Sequence, residues 1–193
     1  HAKSLPQRLE LEDCDLVKNA PPRDLAGLKS LEAIDCTLDG DSLQRWLAKC
    51  PDLEDLSISG AQLGTLTWGC LPKQLQHLNI HGGELTSLLG APTTCGLQVI
   101  SLTSCKLQAV ELPKSLASLR TINLSWNQDL ATCPDLPWAA KPFELDLREC
   151  GLTAWPDVHG IDKVSLINLS HNAIATVPEE IKNCHSLDTL RMQ

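Results

Sequence analysis

Apolar residues recur along this chain in a fixed frame. Leu119, Ile122 and Leu124 are followed by Asn127 and closed by Leu130. One match of this kind carries little, because such spacing arises often in Leu-rich sequence. The same frame, however, can be laid down from Pro6, Leu28, Leu53, Leu75, Leu97, Leu119, Pro142, Val164 and Leu187. Its steps are 22, 25, 22, 22, 22, 23, 22 and 23 residues. Recurrence at that period predicts a solenoid, in which each unit buries its apolar face against its neighbours. Alternation at positions three to seven of the frame predicts a short strand per unit. Positions four and six point inward, and three, five and seven point outward. The longest step, after Leu28, has room for a helix. Asp41 can cap it, Leu43, Trp46, Leu47 and Cys50 share one face over Ser42–Cys50, and Pro51 stops it.

The frame fits the template L-x-x-L-x-L-x-x-N/C-x-L, and over essentially its whole length the chain resembles the leucine-rich repeat superfamily. Cys50-Pro-Asp-Leu closes the helical unit as "C-P-x-L" does in cytoplasmic, cysteine-containing repeats. Asn172 followed by Val177-Pro-Glu-Glu-Ile resembles the "N-x-L-x-x-L-P-x-x-I" repeats of intracellular Ras-scaffold and plant-type proteins. The resemblance implies an α/β solenoid, a right-handed curved horseshoe. Its concave parallel sheet has eight or nine short strands. Its convex side is made of turns, 3₁₀ segments and one helix near 42–50. We expect one domain over 1–193. Neither end reads as a cap, so we also expect a piece of a longer protein.

In this family the ninth position carries a side chain that hydrogen-bonds the backbone of a neighbouring turn. Here it is Cys14, Cys36, Cys105, Asn127, Cys150 or Asn172, but Ala61 and Gly83 interrupt the series. An orphaned buried backbone group costs ~1–3 kcal/mol, which predicts local irregularity between Gly60 and Gly83. The seventh unit starts on Pro142-Phe143 where Leu is usual, and Trp155 stands in a Leu slot.

Composition removes several function classes. Asp and Glu number 24 against 16 Lys and Arg, a net charge of −8. That disfavours nucleic acid or an anionic membrane as partner, since both reward a basic face. No apolar run approaches the ~18 residues that span a bilayer. The nine cysteines are spaced by the repeat rather than clustered, and parallel Cβ vectors at equivalent positions disfavour disulfides. Free thiols point to a reducing, cytoplasmic location. Asn123-Leu-Ser and Asn168-Leu-Ser match the glycosylation pattern, but the repeat produces them anyway. His77 and His81 on a strand lie ~13 Å apart, too far for one ion. No C-x-x-C, G-x-S-x-G or phosphate-cradling loop occurs, so neither catalysis, a metal nor a cofactor is expected.

What is left for function is the outward face, roughly 38 Å long for nine strands at ~4.8 Å spacing. Glu10, Glu12, Asp13, Glu32, Asp35, Glu54 and Asp55 crowd its first three strands. Glu10 and Glu32 are expected side by side, a destabilising pairing of like charges. His77, Asn79, His81 and Asn123 follow, then Asp146 and Arg148. Trp126 stands at position eight, where the template offers no core pocket, whereas Trp46, Trp68, Trp138 and Trp155 have structural places. The expected partner is a protein, with a basic segment as the best complement, and the binding residues are Glu10, Glu12, Glu32, Asp55, His77, Asn79, His81, Asn123, Trp126 and Arg148. The leading function is a non-catalytic interaction scaffold using the concave face. The alternative is the substrate-recognition arm of a signalling enzyme or effector ubiquitin ligase whose catalytic domain lies elsewhere. Leu71-Pro-Lys-Gln-Leu-Gln-His-Leu-Asn-Ile resembles the "L-P-x-x-L-x-x-L-x-I" units of bacterial effector ligases, although their period is shorter and they lack ladder cysteines.

Overall fold

A computed structural model of the protein describes residues 6–23, 25–93, 95–156 and 161–193; residues 1–5, 24, 94 and 157–160 of the expected domain lie outside it. The chain winds into a solenoid of about eight turns. Nine strands make one sheet: β1 (Arg8–Glu12), β2 (Ser30–Ile34), β3 (Asp55–Ser59), β5 (His77–His81), β7 (Val99–Thr103), β9 (Thr121–Asn123), β10 (Phe143–Asp146), β11 (Val164–Asn168) and β12 (Thr189–Arg191). Each pairs in parallel with the strand one turn before and one turn after it. The inward positions stack into two apolar rows. Leu31, Leu56, Leu78, Ile100, Ile122, Leu145 and Ile167 form one, and Ala33, Ile58, Ile80, Leu102, Leu124, Leu147 and Leu169 the other, all buried. Phe143 explains the irregular seventh unit: the register shifts between Phe143 and Glu144, and the ring is fully buried.

The chain leaves each of the first eight strands of this sheet through a left-handed residue. Asp13, Asp35, Ser104, Trp126, Glu149 and His171 have φ between 49° and 65°, and Gly60 and Gly82 occupy the same place. Their N–H groups donate to the position-seven carbonyl of the next turn, for example Asp13 to Ile34 at 3.1 Å and Trp126 to Arg148 at 2.8 Å. Such a conformation is costly for a bulky side chain and persists where its surroundings over-determine it.

Behind this corner the ninth-position side chains form the expected ladder. Asn127 Nδ2 donates to Leu102 and Leu124 carbonyls, both at 2.7 Å, while its Oδ1 accepts from Cys105 N–H at 2.9 Å and Leu107 N–H at 3.0 Å. Asn172 does the same one turn before the last strand, reaching Leu147 and Leu169 carbonyls and taking Cys150 and Leu152 N–H. The thiols can only donate: Cys105 to Ile80 at 3.3 Å, Cys150 to Leu124 at 3.1 Å, Cys36 to Leu11 at 3.5 Å. All nine cysteines are free thiols. Burial pushes Cys50 up to about 11, and Cys105 and Cys150 up to about 12, so below pH 9 these three stay protonated and unreactive. At pH 8 a maleimide is expected to leave them unmodified in native protein and to label all nine in denaturant. Native-state labelling of Cys105, mapped by mass spectrometry, would contradict this placement.

One expectation about the opposite side needs correction. Turns and 3₁₀ pieces were expected there, and 3₁₀ segments do occur at Trp68–Cys70, Ile161–Lys163 and Glu179–Asn183. Three strands stand there as well: β4 (Gln62–Thr67), β6 (Glu84–Leu89) and β8 (Ala109–Val110), a second parallel sheet in the order β4-β6-β8. The irregularity expected between Gly60 and Gly83 is present as a register shift at Gln62–Thr65. Ala61 and Gly83 are the reason. Without a ladder side chain, backbone meets backbone directly, with Glu84 N–H on Ala61 carbonyl at 2.8 Å and Gln62 N–H on Leu38 carbonyl at 3.0 Å.

The helix is present with shifted ends. α1 runs Gly40–Leu47, the only α-helix among the described residues. Its cap is Asp39 rather than Asp41: the Asp39 carboxylate accepts from Ser42 N–H at 2.8 Å. The Ser42 side chain and N–H together hold that carboxyl below its ordinary range. Leu43, Trp46 and Leu47 are buried as expected, and Cys50 is buried in the turn that follows. No described helix is long and apolar enough to cross a membrane.

Candidate functional site

The outward face of the nine-stranded sheet brings the predicted residues into columns set by strand register. Position three runs Arg8, Ser30, Asp55, His77, Val99, Thr121, Glu144, Leu166, Thr189. Position five runs Glu10, Glu32, Ser57, Asn79, Ser101, Asn123, Asp146, Asn168, Arg191 in the same register. Position seven is in register only from Glu12 through Ile34, Ser59 and His81 to Thr103.

The acidic end is organised by one cation. Glu10 and Glu32 are lateral neighbours, but Arg8 lies between them, with Nε 2.6 Å from Glu10 Oε1 and Nη2 2.9 Å from Glu32 Oε2. The expected repulsion is therefore bridged. Glu54 is taken by Lys29 at 2.7 Å and Gln76 at 3.2 Å, and Asp55 contacts His77 Nδ1. Glu12, Asp13 and Asp35 carry no ion pair among the described residues. The uncompensated negative charge thus gathers at the left-handed corner of the first two turns.

The middle of the face is half-buried and small. His81 is exposed and shares a 2.9 Å contact between Nδ1 and Thr103 Oγ1; Asn79 lies half-buried between Ser57 and Ser101. In the later turns the face narrows, which the sequence reading missed. Asn123 Oδ1 accepts from Ser125 N–H at 3.0 Å, Asp146 Oδ1 from Arg148 N–H at 3.0 Å, and Asn168 Oδ1 from Ser170 N–H at 3.2 Å. A side chain that captures the N–H two residues on competes with the ladder, and β9, β10 and β11 end at these three residues. Ser125, Asn168 and Ser170, expected to face outward, are consequently buried at 1%, 4% and 6% exposure. Arg148 stays half-exposed, with Nη2 3.1 Å from Asp146 Oδ2.

No family model, curated protein or solved structure matches this chain.

Trp126 is 49% exposed at its left-handed corner, between the Ser104 and Glu149 corners of the adjacent turns. It is not alone. Trp138, expected to have a structural place, is 56% exposed even though its backbone pairs with Ser115. Trp155 is half-buried against the core, and Trp46 and Trp68 are buried. Among the described residues no group of three His, Cys, Asp or Glu side chains is arranged to hold a metal ion.

Proposed function

We propose that this chain is a leucine-rich repeat domain acting as a non-catalytic protein-interaction scaffold, with the concave face of its nine-stranded sheet as the docking surface. The ladder supports the family reading. Asn127 and Asn172 each bind three carbonyls and two N–H groups, and the cysteines at equivalent positions donate to the preceding turn. The observation that carries the function is the graded face: uncompensated carboxylates of Glu12, Asp13 and Asp35 at one end and an exposed Trp126 beside Arg148 further along. Carboxylates with no partner attract a basic segment, and an exposed indole at the rim is a typical hot spot. The partner is read as a protein met inside the cell.

Photo-crosslinkers placed at Ser57 or Thr103 on the face, and at Thr65 on β4, test the surface. Protein adducts are expected from the first two positions. Adducts concentrated at Thr65 would move the interface to the other sheet. For the partner so captured, Trp126→Ala is expected to weaken binding about tenfold while leaving the thermal midpoint nearly unchanged. Unchanged affinity, or a large drop in midpoint, would assign the indole a packing role instead.

A further inference from the structure

Where β4 and β6 run out, two consecutive return loops leave a cavity of about 350 Å³ between them. Trp68, Leu71, Pro72 and Leu75 line one side, and Pro92 and Leu97 the other. The cavity follows from the repeat lengths. The turn beginning at Leu28 takes 25 residues to return to Leu53 and fills this layer with α1, whose Trp46 and Leu47 are buried. The turns beginning at Leu53 and Leu75 each return in 22 residues. Each spends its length on a strand, the first adding only the 3₁₀ turn Trp68–Cys70. The layer that a helix occupies in one turn is left open in the next two.

The walls are held from behind. Trp68 Nε1 donates to the Glu111 carbonyl at 2.7 Å, and Glu111 Oε2 accepts from Gly90 N–H at 2.7 Å and Ala91 N–H at 3.4 Å. One residue thereby ties the indole to the Gly90 wall and keeps its own carboxylate occupied. Lys73 also lines the cavity, is exposed, and carries no ion pair among the described residues. We propose that this cavity is a binding site for a small organic monoanion, an aryl or short-chain alkyl carboxylate, whose apolar body lies against Trp68, Leu75 and Leu97 and whose carboxylate meets Lys73. The volume lies at the low end of the ~300–1,000 Å³ typical of ligand pockets, and an apolar lining with one convergent charge is their usual composition. The site is independent of the strand face and does not depend on its proposed role.

The probes are naphthalene-2-carboxylate and the uncharged naphthalene-2-methanol, followed by ligand-observed NMR and by the rate at which a maleimide labels Cys95, which lines the same cavity. The carboxylate is expected to bind saturably and to slow Cys95 labelling. Lys73→Gln, at an exposed position, is expected to weaken the carboxylate about fivefold and leave the alcohol unaffected. Gly69→Leu is expected to abolish binding of both. That glycine lines the cavity outside the left-handed region, and a Cβ there meets only Thr67 Oγ1 at 3.9 Å, so the added side chain starts without a clash; the thermal midpoint of the variant shows that it is folded. The proposal fails if no saturable binding is seen, if Lys73→Gln leaves the carboxylate affinity unchanged, or if Cys95 remains protected in a folded Gly69→Leu protein.

Discussion

Asn127→Ala is expected to destabilise this protein by about 4 kcal/mol, although the side chain is only a carboxamide. Asn127 is completely buried, and backbone groups from two adjacent turns converge on it: Cys105 N–H, Leu107 N–H, the carbonyls of Leu102 and Leu124 and, at 3.4 Å, that of Ser125. Truncation leaves them in a dry interior, where each unmade bond costs ~1–3 kcal/mol before relaxation. Asn127→Cys separates the two halves of the role. A thiol donates to the preceding turn, as Cys105 does to Ile80 and Cys150 to Leu124, but is a poor acceptor for the N–H groups of Cys105 and Leu107. About half the loss, ~2 kcal/mol, is expected for that variant. Urea denaturation followed by circular dichroism measures both. Equal losses for the two variants would mean that the donating half carries nothing.

Gly83→Ala is expected to be nearly as damaging, for a steric reason. A Cβ at Gly83 falls 2.0 Å from the Ala61 carbonyl oxygen and 2.7 Å from Ala61 nitrogen, on a backbone with φ of +70°. Relief would require the turns that carry β4 and β6 to separate at their tightest contact. Gly64→Ala isolates the conformational part, since its φ is +62° but nothing lies within 4 Å of a Cβ there. The left-handed backbone costs an alanine ~1 kcal/mol, and the clash adds ~2 kcal/mol or more. For a chain of this size, midpoints are expected to fall by about 3 °C in Gly64→Ala and about 10 °C in Gly83→Ala. Similar shifts for both would show that the turns separate easily and that no close approach is being protected.

These two residues also mark how far the sequence could be read. The period, the inward pairs such as Ile100 and Leu102, and the ladder duty of Asn127 and the cysteines were legible because each depends on spacing within one unit. Strand register followed from them, and so did the columns in which Glu10 meets Glu32 and Asp55 meets His77. The helix was legible too, through the longer step and the Leu43, Trp46 and Leu47 stripe. Its cap was misplaced by two residues, because Asp39 and Asp41 are equally good caps until the backbone chooses.

Contacts between units lay beyond that reading. Leu63 and Leu66 repeat as Leu85 and Leu88, a signal that these stretches are equivalent. That they pair as β4 and β6 depended on Gly83 allowing two backbones to touch, a property of two turns at once. Likewise Arg8 neutralising two carboxylates, Asn168 turning inward to hold Ser170 N–H, and the cavity beside Trp68 all arise from neighbours 21 to 43 residues away or from local competition for a single N–H. Periodicity determined which side of the chain faces the core, since burying an apolar stripe needs only its own repeat. The chemistry of the exposed surfaces was decided by the stacking of turns, because charge pairing, exposure and empty volume are set by what the adjacent turn supplies.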